Sequence, residues 1–237
     1  MSTVTSTIAA ASLAIMSTLT NPTVEPKDSV INKIEDIKNE VITTFDSTNF
    51  ANGQMPFKVP AVADKNESEM PYYLKVNIAQ NVINVYKKDV NGDYTIPEKV
   101  ILCSTGTATP KAGSKHKLTS YRSRWNKMRG NVYAQYAVQV VGNIMIHSVP
   151  YTQKNNRTLE YWEYDKLGTK ASMGCIRVST ADAKWVYENV WAGTTVEFYN
   201  DDNPGPLGKP TGLKISQDKE KRGWDPTDYV EGNPWHQ

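Results

Sequence analysis

The chain has 237 residues but only two cysteines, Cys103 and Cys175, and three histidines, His116, His147 and His236. Two cysteines exclude the disulfide framework that staples small secreted domains. With no Cys-x-x-Cys and no His-x-x-x-His pair, no metal centre and no other cofactor is expected. Charge of one sign is also missing. The 27 basic residues are matched by 25 acidic ones, for a net charge of +2, a balance that leaves no footprint for nucleic acid. No glycine-rich nucleotide loop occurs. Long apolar runs are absent as well: the N-terminal stretch Ile8–Met16 is too short to span a bilayer. That stretch resembles the apolar part of an export signal, although no Lys or Arg precedes Lys27.

What is present divides the chain into four parts. Residues 1–27 read as signal-like or disordered. Residues 28–70 read as a short amphipathic helix, with Val30, Ile34, Ile37 and Val41 at helical spacing, followed by a polar linker. Residues 71–200 form the main domain, and 201–237 a polar tail rich in Pro and Gly, ordered only in part. In the main domain the period is two. Leu74, Val76 and Ile78 alternate with polar residues, and Val82–Tyr86 follows as a hairpin partner. Lys99–Cys103, Val132–Val141 and Ile144–His147 are further strands. One helix is clear, capped by Ser179 or Thr180, with Ala183, Val186, Tyr187 and Val190 on one stripe and Gly193 at its end. The expected fold is mostly β, a sandwich or barrel with this main helix after Cys175. The basic stretch Lys115–Arg129 reads as a solvated loop or rim.

The chemistry concentrates at Ser172-Met173-Gly174-Cys175-Ile176-Arg177 and at Ile146-His147-Ser148. A thiol attacks well only as thiolate, so it needs a base or a positive field, which His147 and Arg177 could supply. A glycine before the cysteine lets backbone N–H groups, at Gly174 and Cys175, approach a developing oxyanion. Ser172, Ser148 and Arg177 are candidates for holding substrate or tuning the thiolate. Each residue also has a plainer reading. A lone cysteine in a strand-rich domain is usually an inert buried thiol, which is the reading given to Cys103. A histidine after an apolar strand is usually structural, and His116 and His236 read as solvated.

These motifs resemble the L,D-transpeptidase (YkuD-type) catalytic domain of bacterial cell-wall enzymes, over roughly Tyr72 to Tyr199. Ser172–Arg177 resembles the family's Ser-x-Gly-Cys-hydrophobic-Arg motif, and Ile146–Ser148 its histidine segment. Ser104-Thr105-Gly106 with Thr109-Pro110 resembles its Ser-Thr-Gly…Thr-Pro loop, and Asp182, Ala183, Trp185, Gly193, Thr194 and Val196 match the helix and strand that follow. Three departures stand out. Met173 sits where many members carry a polar residue, the segment between His147 and Ser172 is long and aromatic, and Thr109–Gly113 is one residue off the usual spacing.

The resemblance implies a peptidoglycan L,D-transpeptidase. Cys175 would form a thioester with a stem peptide, and an amine of a second stem would resolve it into a 3→3 cross-link. Water as acceptor would give L,D-carboxypeptidase side activity, and a protein amine an anchoring reaction. Peptidoglycan stem peptides are the implied partners, carbapenem-type inhibitors are expected to acylate the thiol, and the protein is expected to act as a monomer outside the cytoplasm, at the cell wall or the outer face of the membrane. Two other readings compete: a sortase-like cysteine transpeptidase, in which the arginine lies well after the cysteine, and a catalytically inactive cell-wall binding module, which the intact Cys, His and Arg disfavour. The aromatic segment 151–164 would be either packing or a lid over the donor groove.

Overall fold

The structure is a computed structural model that describes residues 70–237. The expected helix at 28–45 and the signal-like start lie outside the described residues. Strands β1 (Tyr72–Asn77), β2 (Val82–Lys87), β3 (Ile96–Leu102), β4 (Lys115–Lys117), β5 (Arg122–Lys127), β6 (Tyr133–Val141) and β7 (Ile144–Ser148) precede a one-turn helix α1 (Tyr161–Tyr164). Then come β8 (Ile176–Val178), helix α2 (Thr180–Asn189), β9 (Thr195–Tyr199) and a 3₁₀ turn at Pro234–His236. The strands form a five-stranded sheet, β3-β2-β1-β9-β4, and a four-stranded sheet, β5-β6-β7-β8. The mostly β expectation holds.

Alternation explains the packing. Leu74 and Val76 of β1, Ile83 and Val85 of β2, Ile101 of β3, and Val196 and Phe198 of β9 point to one face of the first sheet and are fully buried. Val138, Val140, Ile146, Ile176 and Val178 of the second sheet meet them in the same cluster, and Ala183, Val186 and Val190 join it from α2 and its C-terminal cap. Each such side chain stabilises the fold by roughly 1.5–3 kcal/mol when removed from water. The β1–β2 hairpin turns at Asn81, whose φ of 55° is one that asparagine tolerates. A smaller cluster holds Tyr151, Leu159, Tyr164, Leu167 and Ile215. Tyr151 and Tyr164 are therefore packing residues, while Trp162 stays 44% exposed.

The basic stretch is a solvated rim only in part: Lys115, Lys117, Lys127 and Arg129 are exposed, whereas Arg122 and Arg124 are half-buried. Residues 122–127 form β5, paired with β6. Helix α2 has no basic residue in its last turn. Arg122 supplies that charge from β5, donating to the carbonyls of Tyr187, at 2.5 Å, and of Val190, where the helix dipole favours a cation. Arg124 lies 4.0 Å from the Tyr136 ring centroid and donates to Gln135 Oε1.

The tail is also built into the fold. Asn77 and Asn84, buried on the sheet's outer face, donate to the carbonyls of Asp201, Asn203 and Pro204. At the far end Asp225, wholly buried, accepts from Thr180 N–H at 2.8 Å and from the Thr227 N–H and hydroxyl. Ser179 caps the same helix by accepting from Asp182 N–H. Two acceptors thus serve the start of α2, one local and one from the tail.

We predict that Asp225→Ala destabilises the protein by about 2–4 kcal/mol, because it leaves a buried helical N–H without an acceptor. Urea unfolding measures this, and a midpoint equal to wild type would show that the tail does not support α2.

Candidate active site

Cys175 sits one residue before β8, at the end of a tight turn. Ser172 Oγ organises this turn: it donates to the Cys175 carbonyl at 2.5 Å and accepts from Gly174 N–H at 3.0 Å. Loop 104–109 holds the turn from outside. Ser104 and Arg177 exchange two backbone hydrogen bonds, 2.8 and 2.9 Å. The Thr105 carbonyl accepts from the N–H groups of Ala171 and Ser172, and Ala108 N–H donates to the Met173 carbonyl. Thr109 Oγ1 donates to the Gly174 carbonyl at 2.7 Å and accepts from Gly106 N–H at 2.8 Å. No side chain fits at Gly106, where a Cβ would lie 2.2 Å from the Ser172 carbonyl oxygen and 2.5 Å from Gly174 N.

Strands β7 and β8 run parallel, with Ile146 opposite Ile176 and His147 opposite Arg177. Cys175 and Arg177 leave the chain on the same face, level with Met145 and His147. The fold therefore brings His147, Cys175 and Arg177 together on adjacent strands. The thiol donates to the Asn143 carbonyl at 3.4 Å, not to the imidazole. His147 is buried, and its Nδ1 lies 2.6 Å from the Ser148 carbonyl. A carbonyl only accepts, so Nδ1 carries the proton and Nε2 keeps its lone pair.

Burial pushes the His147 imidazole down to about 4; the Ser148 carbonyl opposes this and the Arg177 charge adds to it. Burial also pushes the Cys175 thiol up, while a backbone hydrogen bond at Met145 and the Arg177 charge pull it part of the way back. Each shift favours the neutral form, the thiol over the thiolate and the imidazole over the imidazolium. Cys103 is different. It is fully buried, and desolvation carries its thiol far above the usual range, which makes it inert.

The remaining candidates each have partners within the protein. Ser148 is buried, and its hydroxyl accepts from Gln135 N–H and donates to the Val149 carbonyl. It is its main-chain carbonyl that touches the site. Ser172 is consumed by the turn. The Gly174 N–H is bonded to Ser172 Oγ. Arg177 pairs with Glu163 of α1 and donates to the Ala171 carbonyl. Burial alone would raise the Glu163 carboxyl, but Lys166 and Arg177 hold it below its ordinary value. Glu163 was not singled out from the sequence, because an acidic residue in an aromatic segment carries no local signal. Thr109 and Gly106 were noticed only as part of a resemblance, and their contact with the nucleophile turn emerges from the fold. Among the described residues no group of three or more His, Cys, Asp or Glu could hold a metal ion.

The two-sheet domain thus sets a cysteine on a braced turn beside a buried histidine that carries its proton on Nδ1. Residues 71–198 match the family model for the L,D-transpeptidase catalytic domain, YkuD. The chain is also 32% identical over 173 residues to YciB of Bacillus subtilis (strain 168), an L,D-transpeptidase candidate, covering 70% of this chain and 80% of that protein. The chain belongs to the YkuD L,D-transpeptidase family. Among solved structures it is similar to L,D-transpeptidase 3 from Mycobacterium tuberculosis in complex with a faropenem-derived adduct, at 19% identity and a TM-score of 0.43, covering 55% of this chain and 61% of that one. It is likewise similar to an L,D-transpeptidase from Mycobacterium smegmatis, at 18% identity and a TM-score of 0.43, covering 54% and 58%. The chain thus spans under two thirds of either solved chain.

Three outcomes are expected. Gly106→Ala should cut the rate of Cys175 acylation at least about 100-fold, since misplacing a reacting atom by an ångström has that scale of effect; a stopped-flow rate near wild type would show the cradle to be dispensable. The second concerns His147, whose folded-state value near 4 lies below its ordinary 6.5. The unfolded chain then binds the proton first, so stability is full above pH 6.5 and is lost as pH falls towards 4. The loss is about 1.4 kcal/mol per pH unit, and His147→Gln should remove that part of the slope. Identical slopes in urea unfolding from pH 7 to 4 would refute the buried neutral imidazole. Finally, Glu163→Gln should unmask the Arg177 charge and lower the apparent thiol pKa of Cys175, as read by the pH dependence of alkylation. An unmoved profile would mean that Glu163 does not govern the field at the thiol.

Proposed function

We propose that this protein is a peptidoglycan L,D-transpeptidase that works through a thioester on Cys175. The observation that carries this reading is the His147 tautomer: Nδ1–H is committed to the Ser148 carbonyl, so Nε2 keeps the lone pair that a general base needs. Rotation of the Cys175 side chain away from the Asn143 carbonyl delivers the thiol proton to Nε2 as sulfur attacks the donor carbonyl. The S–C bond forms, and the tetrahedral oxyanion takes the Cys175 N–H. The intermediate then collapses. The bond to the terminal D-Ala nitrogen breaks, and the leaving amine takes the proton from His147. An acceptor amine gives its proton to His147, attacks the thioester and restores the thiol, leaving a 3→3 cross-linked product. Water in place of the amine gives hydrolysis, the L,D-carboxypeptidase side reaction.

A neutral pair suits this sequence because a thiol deprotonated only during attack is protected from idle oxidation. Arg177, already engaged by Glu163, acts here by stabilising negative charge at sulfur rather than by gripping a substrate carboxylate. The substrate lies outside the cytoplasm, so we place the working enzyme there, at the cell wall or the outer face of the membrane. Carbapenems would acylate the same sulfur, because their strained carbonyl presents the same electrophile.

Incubation with a carbapenem should add one adduct mass, located on Cys175 by peptide mass spectrometry. Cys175→Ala should show no adduct and should form no cross-linked dimer from tetrapeptide-bearing muropeptides, while keeping the wild-type circular dichroism spectrum. Cross-linking by the Ala variant, or an adduct on Cys103 alone, would overturn the proposal.

A further inference from the structure

Segment 152–162 and the tail at 219–224 enclose an open recess of about 360 Å³. Its two walls are joined by the Leu159 N–H, which donates to the Gly223 carbonyl at 2.9 Å. They fit closely, for a Cβ on Gly223 would lie 2.7 Å from the Arg157 carbonyl oxygen. Each wall lends a guanidinium to a ring of the other. Arg157 lies over the Trp224 ring at 5.2 Å, and Arg222 over the Tyr161 ring at 4.2 Å. A guanidinium stacked this way is already oriented, so it loses less freedom when its N–H edge meets an anion. Arg222 spends one N–H on the Ser216 carbonyl at 3.3 Å. The Arg157 side chain is exposed, and among the described residues no carboxylate pairs with either arginine.

We propose that this recess binds a phosphate monoester carried on a ring, an aryl or a sugar phosphate, independently of the reaction at Cys175. Charge and donor geometry select the phosphate. Arg157, Arg222 and Lys219 line the recess against one carboxylate, Glu220, which leaves two positive charges in excess. A phosphate monoester carries about −1.5 to −2 near pH 7 and so offsets that excess, and it offers three acceptor oxygens. A carboxylate carries a single charge and two oxygens, which one arginine fork already fills. Three oxygens can accept from both walls at once. Trp162 selects the ring. Its indole stands edge-to-face with Tyr161, centroids 4.9 Å apart, and is 44% exposed in the same recess. An indole face takes a second aromatic ring, or the weakly positive C–H face of a pyranose. The open recess leaves space for that ring beside the phosphate.

Titration calorimetry on the full chain tests this with four probes: phenyl phosphate, glucose 1-phosphate, inorganic phosphate and benzoate. One of the two ring phosphates should bind at least about tenfold more tightly than inorganic phosphate and than benzoate, and the tighter of the two identifies the ring. Arg157→Gln and Arg222→Gln should each weaken it about tenfold, the scale of one lost charge-assisted contact. Trp162→Ala should bring it down to the affinity of inorganic phosphate while leaving inorganic phosphate itself unchanged, a split that general damage to the fold would not produce. Arg157→Lys keeps the charge without the fork and should also weaken the ester, which covers the case of a Gln variant that fails to fold. Benzoate binding as tightly as phenyl phosphate, inorganic phosphate binding as tightly as both esters, or wild-type affinity in the folded Arg157 and Arg222 variants would overturn the site.

Discussion

Two backbone hydrogen bonds between Ser104 and Arg177 hold this site together. They join the chain just beyond β3, of the five-stranded sheet, to β8, of the four-stranded sheet. The bracing of the thiol from outside its own turn starts at that bridge. It sets loop 104–109 against turn 171–175 so closely that Gly106 has no room for a Cβ. Thr109 then spans from Gly106 to the Gly174 carbonyl. A nucleophile on an unsupported loop would sample many positions. Here the entropy of the turn is lost on folding, before any substrate arrives.

The electrostatics follow from burial more than from any one pair. Removing His147 from water favours its neutral imidazole, and the Ser148 carbonyl decides which nitrogen carries the proton. Burial likewise keeps Cys175 a thiol. Arg177 lowers both groups, an effect that helps the thiolate and hinders the imidazolium. Its pairing with Glu163 limits that field. The long aromatic segment, a departure from the family pattern, thereby contributes a charge to the site in addition to packing Tyr151 and Tyr164 into the smaller core.

The tail belongs to the same mechanical unit. Asp225 bonds the first N–H of α2, and α2 directly follows β8. The tail is thereby bonded to the helix that follows the strand next to Cys175. Arg122 closes the other end of α2 from β5. The helix is held at both termini by residues distant in the chain, which compensates for its short length, ten residues, since an isolated helix of that size is marginal.

Sequence alone determined what local pattern and residue chemistry encode. Period-two alternation marked β1, the run after its turn marked β2 as a hairpin partner, the long run 132–141 marked β6, and the apolar run before His147 marked β7. The stripe Ala183, Val186, Tyr187 placed α2, and the scarcity of cysteine and histidine reduced the candidate groups to Cys175 and His147. Tertiary structure decided what depends on partners far apart in the chain. Thr109 meets Gly174 across 65 residues, Thr180 meets Asp225 across 45, and Arg122 meets Tyr187 across 65. No periodicity signals such pairs. That is why β5 looked like a solvated basic loop and the tail like a loose end, and why Ser148 and Ser172 looked like substrate contacts. A hydroxyl or amide has a fixed number of hydrogen bonds to make, and only the folded chain reveals which are already used.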